Sequence, residues 1–205
     1  MADINYRLWK SRETVIKMLI TRGYDEAEEY SLDYETFKQW AEEGETDIRA
    51  IKEALTLIFI KEKKNVLVTW LSDAKLGENL QLILSKMGSN ITRAIVIVDV
   101  GVTPSAKAII KTLAKKKIYI DVFTITETQF NLIDHEYIPK HEIKTKKEKK
   151  SLLKAYGITQ ADMPHIKTTD PVIKYLGATK GQLIKITRES DTQPGYKTIA
   201  YRIVV

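Results

Sequence analysis

Two unlike units are what the sequence predicts: an α/β unit with a mostly parallel sheet and crossover helices, then a small α+β unit. Three observations predict them. Between residues 65 and 124, unbroken apolar stretches alternate with amphipathic ones, the signature of buried strands joined by helices. After Thr126 the texture changes to a lysine-rich stretch with helix punctuation. The last seventy residues then hold a short capped helix followed by two strand-like runs. The boundary is expected near residues 127–135, giving units of residues 1–130 and 131–205.

Composition narrows the class. The 205 residues include no cysteine, which removes disulfide frameworks and thiolate zinc sites. No apolar run approaches the ~20 residues of a membrane span, so no membrane partner is expected. The start Met1-Ala-Asp-Ile-Asn5 has no basic stretch leading into an apolar core, and an intracellular protein is expected. Residues 1–60 hold 8 Lys and Arg against 13 Asp and Glu, a balance of −5, while the rest of the chain carries +11. A basic surface of that size suits nucleic acid or an acidic protein equally.

Taken in order, residues 6–22 place Leu8, Val15, Ile16, Leu19 and Ile20 at helical spacing, with Gly23 as the stop. Residues 33–40 read as a second short helix. Residues 55–60 and 65–70 read as a strand pair joined by the charged turn Lys61-Glu-Lys-Lys64. A helix over 75–86, a strand over 94–100, a helix over 104–115 and a strand over 118–124 follow. Strand, helix and strand within about thirty residues suggest a right-handed crossover. Further on, Thr145 and Glu148 make a capping box for a helix ended by Gly157, and Thr159 with Asp162 caps a brief turn. Asp170 caps a helix whose first residue is Pro171, and Gly177 closes it. Gly181 turns the chain into a strand over 183–188, and a turn over 191–195 leads to another over 199–205.

Several constellations carry candidate chemistry. In Gly101-Val-Thr-Pro-Ser-Ala-Lys107, Thr103 caps, Pro104 opens the helix and Ser105 adds a hydroxyl. Free amides there would favour a phosphate, with Lys107 and Lys111 on one helical side; a plain capped helix is the alternative. Lys115-Lys-Lys117 and Lys61–Lys64 read as solvated turns, or as a positive rim if they share a side of the sheet with Lys107. The lysine-rich helix over 144–154 reads as solvated on its outer face, since Leu152, Leu153 and Tyr156 supply an apolar side; an RNA- or DNA-binding helix is the alternative. The aromatic residues Tyr6, Trp9, Tyr24, Tyr34, Phe37 and Trp40 read as packing for small helices, since acidic neighbours would repel bases. His135 and His141 stand six apart with Pro139 between them, unlike the i, i+4 pair of a metalloprotease helix. A nuclease would need clustered carboxylates and a lysine around magnesium. Asp73-Ala-Lys75 has half of that pattern, and Asp99 and Asp121 end strands without a following lysine. Gly177–Gly181 with Lys180 lacks the ending of a phosphate-binding P-loop. No catalytic residue, metal or cofactor is expected.

The wording of the last third resembles a known family. Asp170-Pro171, Tyr175-Leu-Gly177, Lys180-Gly181, Lys185-Ile186 and Tyr201-Arg202, with Tyr137-Ile-Pro-Lys-His-Glu142 and Lys149–Tyr156 upstream, are similar to the C-terminal domain of the fifth subunit of eukaryotic RNA polymerases. That domain also resembles its counterpart in the archaeal polymerases. Arg7-Leu-Trp-Lys10 through Arg22-Gly-Tyr24, and Thr103-Pro-Ser-Ala106, match only the longer eukaryotic form. The resemblance implies a non-catalytic polymerase subunit with a nuclease-like N-terminal jaw beside downstream double-stranded DNA, and a C-terminal assembly domain. It implies that Thr103, Pro104, Ser105, Lys107 and Lys111 lie near DNA. It also implies that Pro139, Lys140, His141, Asp170, Pro171, Tyr175, Lys185, Arg188, Tyr201 and Arg202 serve the interface with the largest subunit, near the small sixth subunit. A stand-alone DNA-binding or nuclease-like protein and a pure assembly adaptor are the alternatives.

Departures from the family pattern cluster in two places. The jaw is short between residues 44 and 60. The final hairpin reads Ser190-Asp-Thr-Gln-Pro-Gly-Tyr196, with Pro194 and without the family's arginine. Such drift is what a copy carried by a large cytoplasmic DNA virus would show, placing it in host cytoplasm and virion. A divergent protist nucleus is the cellular alternative.

Overall fold

Helix α1 (Ile4–Thr21) forms because its apolar residues return every three or four positions, and Leu8, Val15, Ile16 and Leu19 are buried together. Gly23 ends it with φ +89°, a conformation without penalty only for glycine. The computed structural model describes residues 4–43, 47–60, 65–71, 76–88, 91–190 and 195–205. The chain divides into Met1–Phe130 and Asn131–Val205, each taken by itself.

In the first unit a 3₁₀ turn (Asp25–Tyr30) leads to α2 (Tyr34–Glu43). The carboxylate of Asp33 accepts from the Thr36 amide and hydroxyl at 3.0 and 2.6 Å, which fixes the entry to α2. A third helix, α3 (Ile48–Ala54), was not expected. It is only seven residues long, too short to show a period, and its cap Asp47 accepts from Arg49 N.

Strand β1 (Leu57–Phe59) pairs antiparallel with β2 (Val66–Leu71), as the sequence suggests; the turn over residues 61–64 lies outside the described residues. From β2, helix α4 (Leu76–Met87) crosses to β3 (Arg93–Val98), and α5 (Pro104–Lys115) crosses to β4 (Tyr119–Thr124). Both crossovers produce parallel pairs, in the sheet order β1-β2-β3-β4. One face of the sheet packs Leu67, Val96 and Val98 under Leu80, Ile83, Met87 and Ala106 of α4 and α5. On the other, Trp70 Nε1 donates to Ser11 Oγ of α1 at 3.0 Å, and Thr128 Oγ1 lies 2.7 Å from the same oxygen. Layers on both faces explain why every residue of β2 up to Trp70 is buried. The expectation that β4 is equally buried needs correcting. As an edge strand it buries only Ile120 and Phe123.

The second unit is a four-stranded sheet with one helix on each face. After a 3₁₀ turn (Leu132–Asp134) come β5 (Lys140–Lys144), α6 (Lys146–Tyr156), β6 (His165–Ile166), α7 (Pro171–Leu176), β7 (Leu183–Glu189) and β8 (Lys197–Val204). The expected hairpin is β7–β8, while β5 and β6 complete the order β5-β7-β8-β6. Polarity hid β5, whose only apolar residue is Ile143. Helix α6 has its complete capping box at Thr145 and Glu148 and closes on Gly157 at φ 64°. Helix α7 starts on Asp170, whose carboxylate accepts from Val172 N and Ile173 N at 2.9 and 3.2 Å. Around α7, Ile173 packs with Ile184, Ile186 and Val204; beside α6, Leu183 and Ile203 pack with Met163, Leu152 and Leu153.

Candidate functional site

The turn Gly101–Lys107 leaves the C-terminal end of β3, where strand ends and helix beginnings meet at one rim of the sheet. Thr103 caps α5 by accepting from Ala106 N, and its hydroxyl lies 3.1 Å from that of Ser105. Thr103, Pro104, Ser105, Lys107 and Lys111 are exposed, and only Ala106 is buried. Lys107, Lys111 and Lys115 follow one another every four residues, so they form one exposed stripe along α5. The Lys115–Lys117 cluster therefore sits at the other end of the helix from Thr103, about 18 Å away along its axis. Lys115 lies on the same helix as Lys107 and extends its stripe. Lys61–Lys64 and the nuclease-like Asp73 and Lys75 lie outside the described residues.

The two remaining strand carboxylates are occupied by ion pairs that sequence reasoning missed. Lys52 of α3, with its side chain 3 % exposed, holds both oxygens of Asp99 at 2.7 Å. Asp99 thus has a lysine after all, supplied from 47 positions upstream. Asp121 does not end its strand. It pairs in register with Ile95, four residues short of Asp99 and about 13 Å from it along the sheet. There it accepts from Arg22 at 2.8 Å and Arg93 at 3.2 Å. Burial pushes the Arg22 guanidinium below its usual range, and Asp121 opposes that push. Two carboxylates so far apart and so paired do not make a magnesium site. The only sequence signal for these pairs was charge inside apolar blocks.

The aromatic residues divide. Tyr24 and Phe37 are core. Tyr6, Trp9 and Tyr34 instead pack together near the surface in tilted and edge-to-face contacts, with ring centres 5.2–5.5 Å apart. Trp40 remains 40 % exposed, contrary to a purely packing role.

In the second unit, the sequence-predicted interface residues do not share one surface. Register puts Lys140, Lys185 and Tyr201 on the face covered by α6, and His141, Arg188 and Arg202 on the face covered by α7. Pro139 leads into β5, with its carbonyl 2.6 Å from His141 Nδ1. Asp170 and Pro171 open α7 at the surface. Tyr175 is 2 % exposed, because α7 turns its ring into the core. His135 is exposed beside Tyr137, and among the described residues no three His, Asp or Glu side chains gather to hold a metal.

On the α6 face, Lys185 lies 3.9 Å from Glu142, and Lys140 holds Glu142 at 3.1 Å and keeps its carboxyl below the usual range. The Thr145 amide and hydroxyl, with Lys144, hold Glu148 down to about 2. Between α6 and the sheet runs an open groove of about 490 Å³. The arrangement offers charged and apolar contact surface.

Two family models match the sequence. "RNA polymerase Rpb5, N-terminal domain" covers residues 3–86 and "RNA polymerase Rpb5, C-terminal domain" covers residues 130–204. The chain is 36 % identical over 206 residues to "DNA-directed RNA polymerases I, II, and III subunit RPABC1" of Caenorhabditis briggsae, covering 98 % of this chain and 96 % of that protein. It is 32 % identical to the protein of the same description from Dictyostelium discoideum, over the whole of both. With "DNA-directed RNA polymerase subunit 5-like protein 1" of Arabidopsis thaliana it shares 30 %, over all of this chain and 99 % of that one.

Proposed function

Because the chain belongs to the Rpb5 family, and is a non-catalytic subunit of a DNA-directed RNA polymerase acting in transcription, we propose a division of labour between its units. Residues 1–130 are a jaw that flanks downstream double-stranded DNA, and residues 131–205 are an assembly domain docked on the largest subunit, near the small sixth subunit. The observation that carries the DNA-facing half is the exposed stripe Lys107, Lys111 and Lys115 beginning at the Thr103-capped turn. Such a stripe contacts phosphates and reads no bases, which suits a duplex that must slide. Nucleotide chemistry and its magnesium belong to other subunits.

Reversing one charge tests it. Lys107→Glu is expected to slow elongation and weaken crosslinking to downstream DNA while the subunit stays in the enzyme. Unchanged elongation and crosslinking would reject the DNA-facing role. For the source, the departures at residues 44–60 and 190–196 support a copy carried by a large cytoplasmic DNA virus, acting in host cytoplasm and virion. Residues 191–194 lie outside the described residues, so their contribution rests on sequence alone. A cellular copy would act in the nucleus, and fractionation of the source cells separates the two.

A further inference from the structure

The groove beside α6 has no assigned occupant, and it lies on only one of the two faces over which the interface residues are spread. Resting on the reading of this chain as a docked polymerase subunit, we propose that this groove seats an apolar segment flanked by carboxylates, carried by a neighbouring subunit of the enzyme.

Helix α6 is an incomplete layer. None of its eleven residues is buried, and Leu152 and Leu153 remain half-covered although they face the sheet. The groove floor is Leu152, Leu183 and the ring of Tyr201, and Ala155 leaves its wall low. Ile199, 53 % exposed, continues the same face two residues from Tyr201. An apolar floor left this open is completed by another apolar group.

Charge selects the flanks of that group. Residues 140–154 carry seven lysines against two glutamates, and Lys147 and Lys185 stand at the groove itself. Carboxylates beside the apolar anchor would meet this rim with complementary potential. A nucleic-acid strand fits less well, because it would leave the apolar floor of Leu152 and Leu183 unmatched and would meet Glu148, an anion at the edge. A second copy fits less well too, since a two-fold contact would set one lysine wall against its own image.

The test uses polymerase recovered through a tagged full-length chain. A photo-crosslinking residue replacing the exposed Ser151, which lines the groove, is expected to join a peptide of another polymerase subunit with Asp or Glu beside apolar residues. Ala155→Trp, an exposed position that fills the groove, is expected to lower recovery of the large subunits about tenfold without changing the melting temperature. Lys147→Glu reverses the rim charge without filling space and is expected to lower recovery several-fold in low salt. Undiminished recovery with Ala155→Trp and Lys147→Glu overturns the groove assignment alone, as do crosslinks confined to nucleic acid, to a second copy or to a basic peptide. Failure of the unaltered chain to recover any large subunit overturns the polymerase reading and this proposal together.

Discussion

Glu148 shows how one side chain can settle a helix end. Its carboxylate accepts from the Thr145 amide and hydroxyl at 2.8 Å each and from Lys144 at 3.0 Å. Its pKa is depressed to about 2, so its charged form stabilises the folded state above the unfolded value near 4.5, and that contribution is lost as pH falls towards 2. Glu148→Gln keeps an acceptor for the Thr145 amide but carries no charge. In denaturant titrations the gap in stability between the two proteins should be full above about pH 4.5 and should shrink between pH 4.5 and 2. A gap independent of pH would show that the charge contributes nothing there. At this scale the sequence was most legible where a residue acts on its own neighbours. The caps at Thr103, Thr145 and Asp170 are local hydrogen-bond devices, so spacing revealed them. The partners of Asp99 and Asp121 were invisible, because Lys52, Arg22 and Arg93 reach them only after the chain has folded.

At the scale of elements, α5 takes its place from the bend that precedes it. Asp99 follows the end of β3, and Lys52 grips that bend four residues before the Thr103 cap. Asp99→Asn would leave the Lys52 ammonium buried without its counter-charge. The expected cost is about 3 kcal/mol, at the low end for buried pairs because Asp99 is 37 % exposed. Chemical denaturation measures it, and a loss under about 0.5 kcal/mol, the range of an ordinary surface change, would show that the pair is not structural. Removing one cation from the neighbouring stripe acts differently. Lys111→Ala should leave stability unchanged and reduce by about one the dependence of DNA engagement on the logarithm of salt concentration, read in the assembled enzyme. The long elements α1, α4, α5, β2 and β3 were legible because burial on one or two faces imposes a period. Helix α3 and strands β5 and β6 were not, since two to seven residues of mixed polarity carry no period to read.

For the whole molecule, the two units differ in what they ask of the chain. The first buries a mostly parallel sheet between helical layers, and the second closes 75 residues around an antiparallel hairpin with clusters on both faces. Residues 131–205 expressed alone are expected to melt cooperatively and to remain bound to large polymerase subunits. Residues 1–130 alone should lose that association. Retention of the second fragment only when joined to the first would contradict a separate assembly role.

The contact of Ser11 with Thr128 spans 117 positions, and Gln129 Nε2 donates to Arg7 O across 122. The face of α1 bearing Leu8, Val15 and Leu19 is therefore among the earliest made and the latest sealed. At ~5–20 residues per second of synthesis, that helix waits roughly 6–23 s on the ribosome before its lid arrives. Until then that apolar face lacks the last of its cover, so a newborn copy is less protected than a finished one.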